Sequence, residues 1–142
     1  MSNNGNGGAT ARARLLPSRS VSPSDRNLVS AYLDGGFLFT GFSDKRPNDR
    51  FGVAATYAKI SNRARQFDQD VQLFTGTASP VRDLEAVLEI SYQAEIRTGF
   101  LVQPVFQYIV HPAGGAVDPN DPTQTHRIKD AVMLGVRTTI NY

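Results

Sequence analysis

The most regular pattern in the chain is an alternation of apolar and polar positions between residues 84 and 110. Successive side chains of a β-strand point to opposite faces, so this period of two predicts strands, whereas a helix would repeat every 3.6 residues. A tight turn at residues 97–99 divides the stretch into two arms. The apolar positions of the first arm are Leu84, Ala86, Leu88, Ile90, Tyr92, Ala94 and Ile96. The sequence therefore predicts a long β-hairpin with one apolar and one polar face.

Three further segments alternate in the same way, at residues 28–42, 51–60 and 128–142. A short additional strand is expected at residues 67–74. Strands of soluble proteins are mostly about five or six residues long, whereas a strand that crosses a bilayer needs roughly nine to eleven. The alternation predicts an all-β antiparallel meander of about five or six long strands, with lengths that suit a membrane.

The connections between these strands alternate in length. Short connections at residues 43–50 and 97–99 alternate with long polar loops at residues 61–83 and 111–127, which are rich in turn-forming residues. Transmembrane barrels combine short periplasmic turns with long extracellular loops and carry aromatic girdles near strand ends. Aromatic residues near the predicted strand ends are Phe42, Phe51, Phe100, Tyr108 and Tyr142. A membrane barrel is favoured over the alternative, a soluble β-sheet module with a ligand-binding or structural role.

Composition excludes several other classes of function. The chain has 142 residues, a formal net charge of +2 and no cysteine, and its basic residues are scattered, so we expect no nucleic-acid partner. His111 and His126 have no second ligand at metal spacing, and the DPNDP segment at residues 118–122 is explained by turn formation. There is no phosphate-binding loop and no nucleophile elbow. We expect no enzyme activity, no catalytic residue, no cofactor and no metal.

Five or six strands are too few to close a barrel by themselves. Open sheet edges in hydrocarbon leave backbone groups unpaired, and the smallest bacterial barrels have about eight strands. The chain is therefore expected to be part of a larger barrel or one of several chains in an assembly.

Four stretches of residues 24–142 resemble the C-terminal end of the carbohydrate-selective porins of the OprB family. They read SDRNLVSAYLDGGFLFTG, DRFGVAATYAKIS, YQAEIRTGFLVQPVFQYIVHP and RIKDAVMLGVRTTINY. The resemblance implies an outer-membrane barrel of about sixteen strands in the full-length protein, through which sugars and other small solutes diffuse. It also implies contact with outer-membrane lipid, and a terminal aromatic residue, here Tyr142, that the barrel-assembly machinery reads as an assembly signal.

Residues 1–26 are rich in Gly, Asn, Ser, Arg and Pro without periodicity, which predicts a disordered or non-homologous tail in front of a porin segment at residues 27–142. The first twenty residues lack the apolar core of about seven or more residues that a secretory signal needs, which makes export of the chain doubtful. With the first strands of the family also missing, we expect a fragment that is inactive alone.

The polar faces of the predicted strands carry the candidate pore-lining residues. Amides and charged groups there can hydrogen-bond passing hydroxyl groups and set ion preference. The alternative is that they only solvate a wall that faces water. The candidates are Asp34, Glu85, Glu89, Gln93, Gln103, Gln107 and Arg137, with Glu95 and Lys129 as further charges on the same side.

Overall fold

The computed structural model describes residues 12–21, 27–41 and 45–141. Within these ranges, six strands form one antiparallel sheet in which each strand pairs with the next along the chain. The strands are β1 (Arg12–Val21), β2 (Val29–Thr40), β3 (Arg50–Ile60), β4 (Leu84–Arg97), β5 (Phe100–Val110) and β6 (Ala131–Ile140). Two helices lie in the long connections, α1 (Asn62–Thr75) and α2 (Pro112–Gly115). The predicted meander is confirmed.

The strands contain between 10 and 14 residues, which is long enough for a tilted bilayer-crossing strand. Long connections join β3 to β4 and β5 to β6, and short ones join β2 to β3 and β4 to β5. The connection of β1 to β2, residues 22–28, falls at the same end as the long ones but is much shorter. In the described ranges, neither helix has the length and apolar character needed to cross a membrane.

The prediction of a disordered tail is wrong for Arg12–Val21, which form β1 along the full length of β2. The segment alternates less regularly than the other strands. Ala13 and Leu15 lie on the apolar face and Arg14 on the polar face, but Leu16 lies on the polar face and Arg19 on the apolar face. Pro17 has no N–H to donate, and in the described sheet it lies on an edge strand. Residues 1–11 and 22–26 of the predicted tail lie outside the described part of the chain.

The expected short strand at residues 67–74 is also wrong, because helix α1 occupies this part of the β3–β4 connection. Ser61 caps its N-terminus by accepting a hydrogen bond from the Ala64 N–H. Gly76 ends the helix with a φ of 68° and donates its N–H to the Gln72 carbonyl. The two caps are local signals that fix where the helix begins and where it ends. They outweigh the weak strand pattern of the residues between them.

The connection from β5 to β6 contains more regular structure than its Gly and Pro content predicts. It contains α2 and a β-bridge between Val117 and Arg127, so that β6 begins at Ala131 and not at residue 128. Gly114 has a φ of 75°, and a Cβ at this position would lie 2.7 Å from Cγ1 of the buried Ile60. Only glycine therefore allows the connection to pack against the end of β3.

The sheet has a single layer with an exposed apolar face. Residues paired across antiparallel strands share a face, so the registers define which side chains lie together. Within the described residues, the buried hydrophobic side chains are Ile60 and Ala94. Large apolar side chains that remain exposed on this one face include Leu15, Leu33, Phe37, Phe39, Tyr57, Leu88, Ile90, Tyr108, Val132, Leu134, Val136 and Ile140. A face of this kind requires an apolar environment.

Aromatic residues cluster on the apolar face near the short turns. The rings of Phe39 and Phe51 lie 6.3 Å apart between centroids, and Tyr92 is opposite Phe51 on β4. Phe100 and Tyr108 are on the same face, near the two ends of β5. The predicted girdle residues Phe42 and Tyr142 lie outside the described residues.

The carboxylate of Asp49 secures the end of the sheet that carries the short turns. Its side chain is only 1% exposed, accepts a hydrogen bond from the Glu95 N–H at 3.0 Å and receives another from the Tyr92 hydroxyl. Arg46 completes the site at 3.3 Å. Burial by itself raises the pKa of Asp49, but the hydrogen bonds from Tyr92, Glu95 and Arg46 outweigh it and hold the pKa below its usual value.

A second carboxylate, Asp83, joins the two long connections at the other end. It accepts hydrogen bonds from Arg127 at 3.1 Å and from the Leu84 N–H at 2.7 Å, and lies 3.2 Å from Nδ1 of His111. Its carbonyl accepts the Ile60 N–H at 2.9 Å. Partial burial raises the pKa of Asp83, but these donors lower it more, and the carboxylate stays ionised. The two long connections, residues 61–83 and 111–130, thus contact each other and form a rim at this end of the sheet.

Helix α1 is attached to this rim by a forked ion pair. The Arg82 guanidinium donates to both carboxylate oxygens of Asp68, at 2.9 Å and 2.7 Å. Bidentate pairs of this kind are geometrically specific. The apolar side chains Phe67, Leu73 and Phe74 of α1 remain exposed in the described residues.

Candidate pore-lining face

The structure brings the predicted pore-lining residues together on the polar face of the sheet. Gln107 lies opposite Glu89, and Gln103 lies opposite Arg137. Asp34 lies opposite Thr56, which is on the same face as the odd-numbered residues of β4. The residues that share this face are Asp34, Glu85, Glu89, Gln93, Gln103, Gln107 and Arg137. Of the further charges, Glu95 is on this face, whereas Lys129 precedes β6.

Tyr142, the predicted assembly signal, lies outside the described residues. The part of the chain that the structure describes ends at Asn141, whose N–H donates to the Gly99 carbonyl at 2.8 Å. This hydrogen bond ties the end of β6 to the β4–β5 turn. The role of Tyr142 stays a prediction.

The acidic groups of the polar face are occupied by hydrogen-bond donors. The Gln107 amide donates to Glu89 at 2.6 Å, and the Ser18 hydroxyl donates to Asp34. Nearer the long connections, Glu85 accepts the backbone N–H of Ala113 at 2.6 Å. Charged acceptors with a fixed partner are held in one orientation, so the middle of this face is an ordered polar surface.

Small residues make the middle of the polar face shallow. Gly36 and Ala54 lie opposite each other on β2 and β3, and Gly52 is opposite Ser91. A Cβ on Gly36 would lie 2.8 Å from the Val53 carbonyl oxygen, so the backbones are too close for a larger residue. The small residues leave open space on this part of the polar face, beside the longer side chains of Leu38 and Glu89.

Arginines define the part of the polar face next to the short turns. Arg12 and Arg50 both lie level with Thr40, and Arg50 lies opposite Gln93 on β4. Neither arginine was among the predicted pore-lining residues, because Arg12 falls in the predicted tail and Arg50 in a predicted turn. The signal for Arg50 was available, since the alternation of β3 extends one residue before Phe51.

The DPNDP segment at residues 118–122 forms a hydrogen-bonded turn, as the sequence predicts. Asp121 accepts hydrogen bonds from the hydroxyl and N–H of Thr123, from the Thr125 N–H and from the His126 N–H. The Thr123 hydroxyl is the largest influence and, with His126, holds the pKa of Asp121 well below its usual value. Among the described residues, no group of three or more His, Cys, Asp and Glu side chains is placed to hold a metal ion.

This arrangement is typical of the wall of a membrane channel. The strands are long, one face is apolar and exposed, and the other carries hydrogen-bonded charges and amides over a floor of small residues. In transmembrane β-barrels the apolar face meets lipid and the polar face lines the interior. The class that the fold defines is therefore part of an outer-membrane-type barrel.

Comparison with known proteins gives the family. The model of the carbohydrate-selective porin, OprB family, matches residues 2–142. This protein belongs to that family, and the resemblance stated from the sequence is confirmed. The match begins well before residue 24, where the sequence analysis placed the start of the resemblance.

Two similar proteins come from pseudomonads. Porin B of Pseudomonas aeruginosa is 25% identical in an alignment of 116 residues that covers 77% of this chain and 26% of Porin B. The solved high-pH structure of Pseudomonas putida OprB superposes with a TM-score of 0.78 at 20% identity, covering 92% of this chain and 30% of OprB. The fold is confirmed as part of the OprB barrel fold, and the chain spans less than a third of the length of these relatives.

Proposed function

We propose that this chain forms six strands of the wall of an outer-membrane porin through which carbohydrates diffuse. The observation that carries the proposal is the separation of an apolar from a polar face, which is clearest along β3, β4 and β5. One face exposes large apolar side chains to the surroundings, and the other holds Glu89, Gln107 and their neighbours in a polar network. Lipid fits the first face and water with dissolved sugar fits the second.

The proposal requires additional strands, because β1 and β6 are the two edges of the described sheet. Each edge presents a row of backbone donors and acceptors, and in hydrocarbon each unsatisfied group costs several kcal/mol. Strands corresponding to the rest of the relatives' length would pair with both edges and close the pore. In this arrangement outer-membrane lipid and the barrel-assembly machinery are the partners, with Tyr142 as the assembly signal.

Passive diffusion explains the polar face without a chemical step. The acidic residues of the face are held by hydrogen bonds and lie on an open surface, so they offer solutes weak polar contacts. Conduction requires contacts that are favourable enough for entry and weak enough for release. Membership of a porin family favours a channel over an enzyme, and it disfavours the soluble β-sheet module.

The proposal is tested by refolding the chain into lipid vesicles, alone and together with the strands of Porin B that it lacks. We expect the chain alone to become rich in β-structure only with lipid or detergent, and to admit no glucose. Vesicles that contain both parts should swell in isotonic glucose. A matched control replaces Ile90 on the apolar face with arginine, which should prevent insertion.

Two outcomes would contradict the proposal. A chain that is folded and monomeric in buffer without detergent, and that does not bind vesicles, would support the soluble module. Inserted strands that close a barrel but never admit glucose would show that the polar face does not line a sugar pore.

A further inference from the structure

We propose that the apolar face carries a binding site for a phosphate-bearing lipid, at the end of the sheet where the long connections lie. In this site, called the lipid site below, Arg19 and Lys59 bind the phosphate groups of the headgroup, and a depression beside them takes an acyl chain. The inference rests on the proposed function, since it requires that the apolar face meets a bilayer.

The depression lies where small residues of neighbouring strands meet on the apolar face. Gly35 and Ala55 are opposite each other on β2 and β3. A Cβ on Gly35 would have its nearest neighbour at 3.9 Å, so the space above this residue is open. The depression has a volume of about 470 Å³, and the residues that line it include Leu33, Gly35, Ala55, Tyr57, Leu88 and Tyr108. An exposed apolar depression of this kind fits an acyl chain.

Two cations border this depression although they lie on the apolar face. Arg19 is opposite Leu33, and Lys59 is the next residue after Tyr57 on the same face of β3. Both side chains are exposed. Within the described ranges neither takes part in an ion pair. Their charges are therefore open to an anion from outside the chain.

The position of Lys59 along β3 places it at the level of lipid headgroups. Phe51, in the aromatic cluster near the short turns, is eight positions before Lys59 on the same strand. This separation is about 27 Å along the strand. At a strand tilt of about 40° it spans roughly 20 Å of the membrane, close to the height of about 25 Å of the apolar band of a barrel. Lys59 thus lies at the interface on the side of the long, extracellular connections.

The two cations are close enough to bind one headgroup. Arg19 is on β1 and Lys59 is on β3, so they are about 10 Å apart across the strands and about 7 Å apart along them. The resulting backbone separation of roughly 12 Å is bridged by two long, flexible side chains that extend towards the interface. A guanidinium offers parallel N–H donors to phosphate oxygens, and an ammonium adds a point charge.

The strand positions of the apolar face that the structure describes carry no carboxylate. The acidic residues of the strands all lie on the polar face, and they are Asp34, Glu85, Glu89 and Glu95. Asp130, which accepts a hydrogen bond from the Tyr108 hydroxyl, keeps its charge at the edge of the apolar face. It precedes β6, however, which is three strands away from β3 and five from β1. An anion beside Arg19 and Lys59 therefore meets a positive surface.

The rim next to Lys59 adds no net charge. The connection that follows β3, residues 61–83, contains three arginines and three aspartates. Two of these aspartates are paired with arginines, Asp68 with Arg82 and Asp83 with Arg127. The local excess of positive charge on the apolar face therefore comes from Arg19 and Lys59.

The first test measures which lipids stay with the protein after extraction from vesicles. The chain and the completing strands of Porin B are inserted into phosphatidylcholine vesicles that contain equal small amounts of lipid A and of lipid A without its phosphates. After mild solubilisation the retained lipids are counted by mass spectrometry. The unaltered chain should retain more of the phosphorylated form. Arg19→Gln and Lys59→Gln should each lower the ratio of the two forms by roughly two- to fivefold, the factor expected for one exposed ion pair.

Two further variants test the parts of the lipid site separately. Lys45→Gln is the charge-matched control, because Lys45 lies in the short β2–β3 connection at the opposite end of the sheet, and it should leave the ratio unchanged. Gly35→Leu fills the depression and should lower the retention of both lipids. Equal retention of the two lipids by the unaltered chain, or an equal fall in Lys45→Gln and Lys59→Gln, would overturn the lipid site. Unchanged retention in Gly35→Leu would overturn the role of the depression.

Glucose entry into the same vesicles separates the two proposals. Vesicles that admit no glucose would contradict the proposed function. Glucose entry without any preference for the phosphorylated lipid would overturn only the lipid site.

A second copy of the chain is the other occupant to test for on this face. The chain has no cysteine, so Ala55→Cys places its single thiol in the depression. If lipid fills the depression, oxidation of the vesicles should leave this variant without cross-links between chains. Disulfide-linked dimers of Ala55→Cys would place a second copy against the depression and would overturn the lipid site.

Discussion

The two faces of the sheet differ although they share every strand. Ile90 and Ser91 are neighbours on β4, but Ile90 lies between Val53 and Phe106 on the apolar face, whereas Ser91 lies between Gly52 and Val105 on the polar face. The apolar face carries large aliphatic and aromatic side chains, among which Tyr92 and Tyr108 donate hydrogen bonds near the two ends of the sheet. The polar face carries small residues and carboxylates that accept hydrogen bonds from neighbouring groups. Whether a residue occupies an even or an odd position along its strand therefore decides which of the two environments its side chain meets.

The largest effect is expected from Ile90→Arg, which puts a charge on the apolar face near the middle of β4. In a bilayer this substitution should destabilise the folded chain by about 2–4 kcal/mol, because arginine at mid-depth of the lipid face loses its hydration. Urea unfolding of the vesicle-inserted protein, with its completing strands, measures the change.

The matched control for this experiment is Ser91→Arg, one residue further along the same strand. Its side chain enters the polar face above Gly52, so the cost should be much smaller. Equal destabilisation by the two arginines would mean that both faces meet the same environment, which contradicts the membrane assignment.

A smaller effect is expected from Gly36→Ala on the polar face. The new methyl group would meet the Val53 carbonyl oxygen at 2.8 Å and the Ala54 Cβ at 3.1 Å. Overpacking of this kind costs about 1–3 kcal/mol. The same unfolding measurement applies, with Gly135→Ala as control, since a Cβ at Gly135 has no neighbour within 4 Å. If the two variants are equally stable, the close approach of β2 and β3 is not present.

Asp49→Ala should have a more modest effect, of about 1–2 kcal/mol, because the hydrogen bonds that the carboxylate accepts from Tyr92, Glu95 and Arg46 are lost at the end of the sheet. The Glu95 N–H and the Tyr92 hydroxyl lose their common acceptor. Hydrogen exchange of the Glu95 amide should rise relative to the unaltered chain, while amides in the middle of β4 stay protected. Unchanged exchange at Glu95 would show that Asp49 does not hold this end.

The smallest effect is a pH dependence of the rim at Asp83. Its folded-state pKa is lowered from 3.8. Its contribution to stability is therefore present above pH 3.8 and is lost as the pH falls through the lower, folded-state pKa. Protease sensitivity of residues 111–130 should increase at low pH in the unaltered chain. In Asp83→Asn the sensitivity should already be high at neutral pH and change little on acidification.

Most of the fold could be predicted from the sequence, because a strand with two different environments must alternate. The β4–β5 hairpin is the clearest case, and β5 has the predicted bounds, Phe100–Val110. Prediction failed for β1 because Pro17 and the neighbouring glycine-rich residues mask its alternation. It failed for α1 because a helix of this length depends on its caps, Ser61 and Gly76, which are weak signals when read alone.

The sequence predicted which residues lie on the polar face, but it did not predict which of them lie at the same level, because that depends on the pairing register of the strands. Each predicted pore-lining residue was found on its own strand by parity, and parity gives no information about height along the sheet. Pairing sets Arg12, Arg50 and Arg137 at one level although they are far apart in the chain.

By itself the sequence determined the approximate lengths of β2 to β5, the assignment of their residues to the apolar or polar face and the membership of the porin family, because each depends on local pattern. The tertiary structure decided which residues are level with one another, how Asp83 joins the long connections, and that Glu89 and Asp34 accept hydrogen bonds from Gln107 and Ser18. These properties depend on hydrogen-bond register and loop packing between segments distant in the chain, which no local pattern contains.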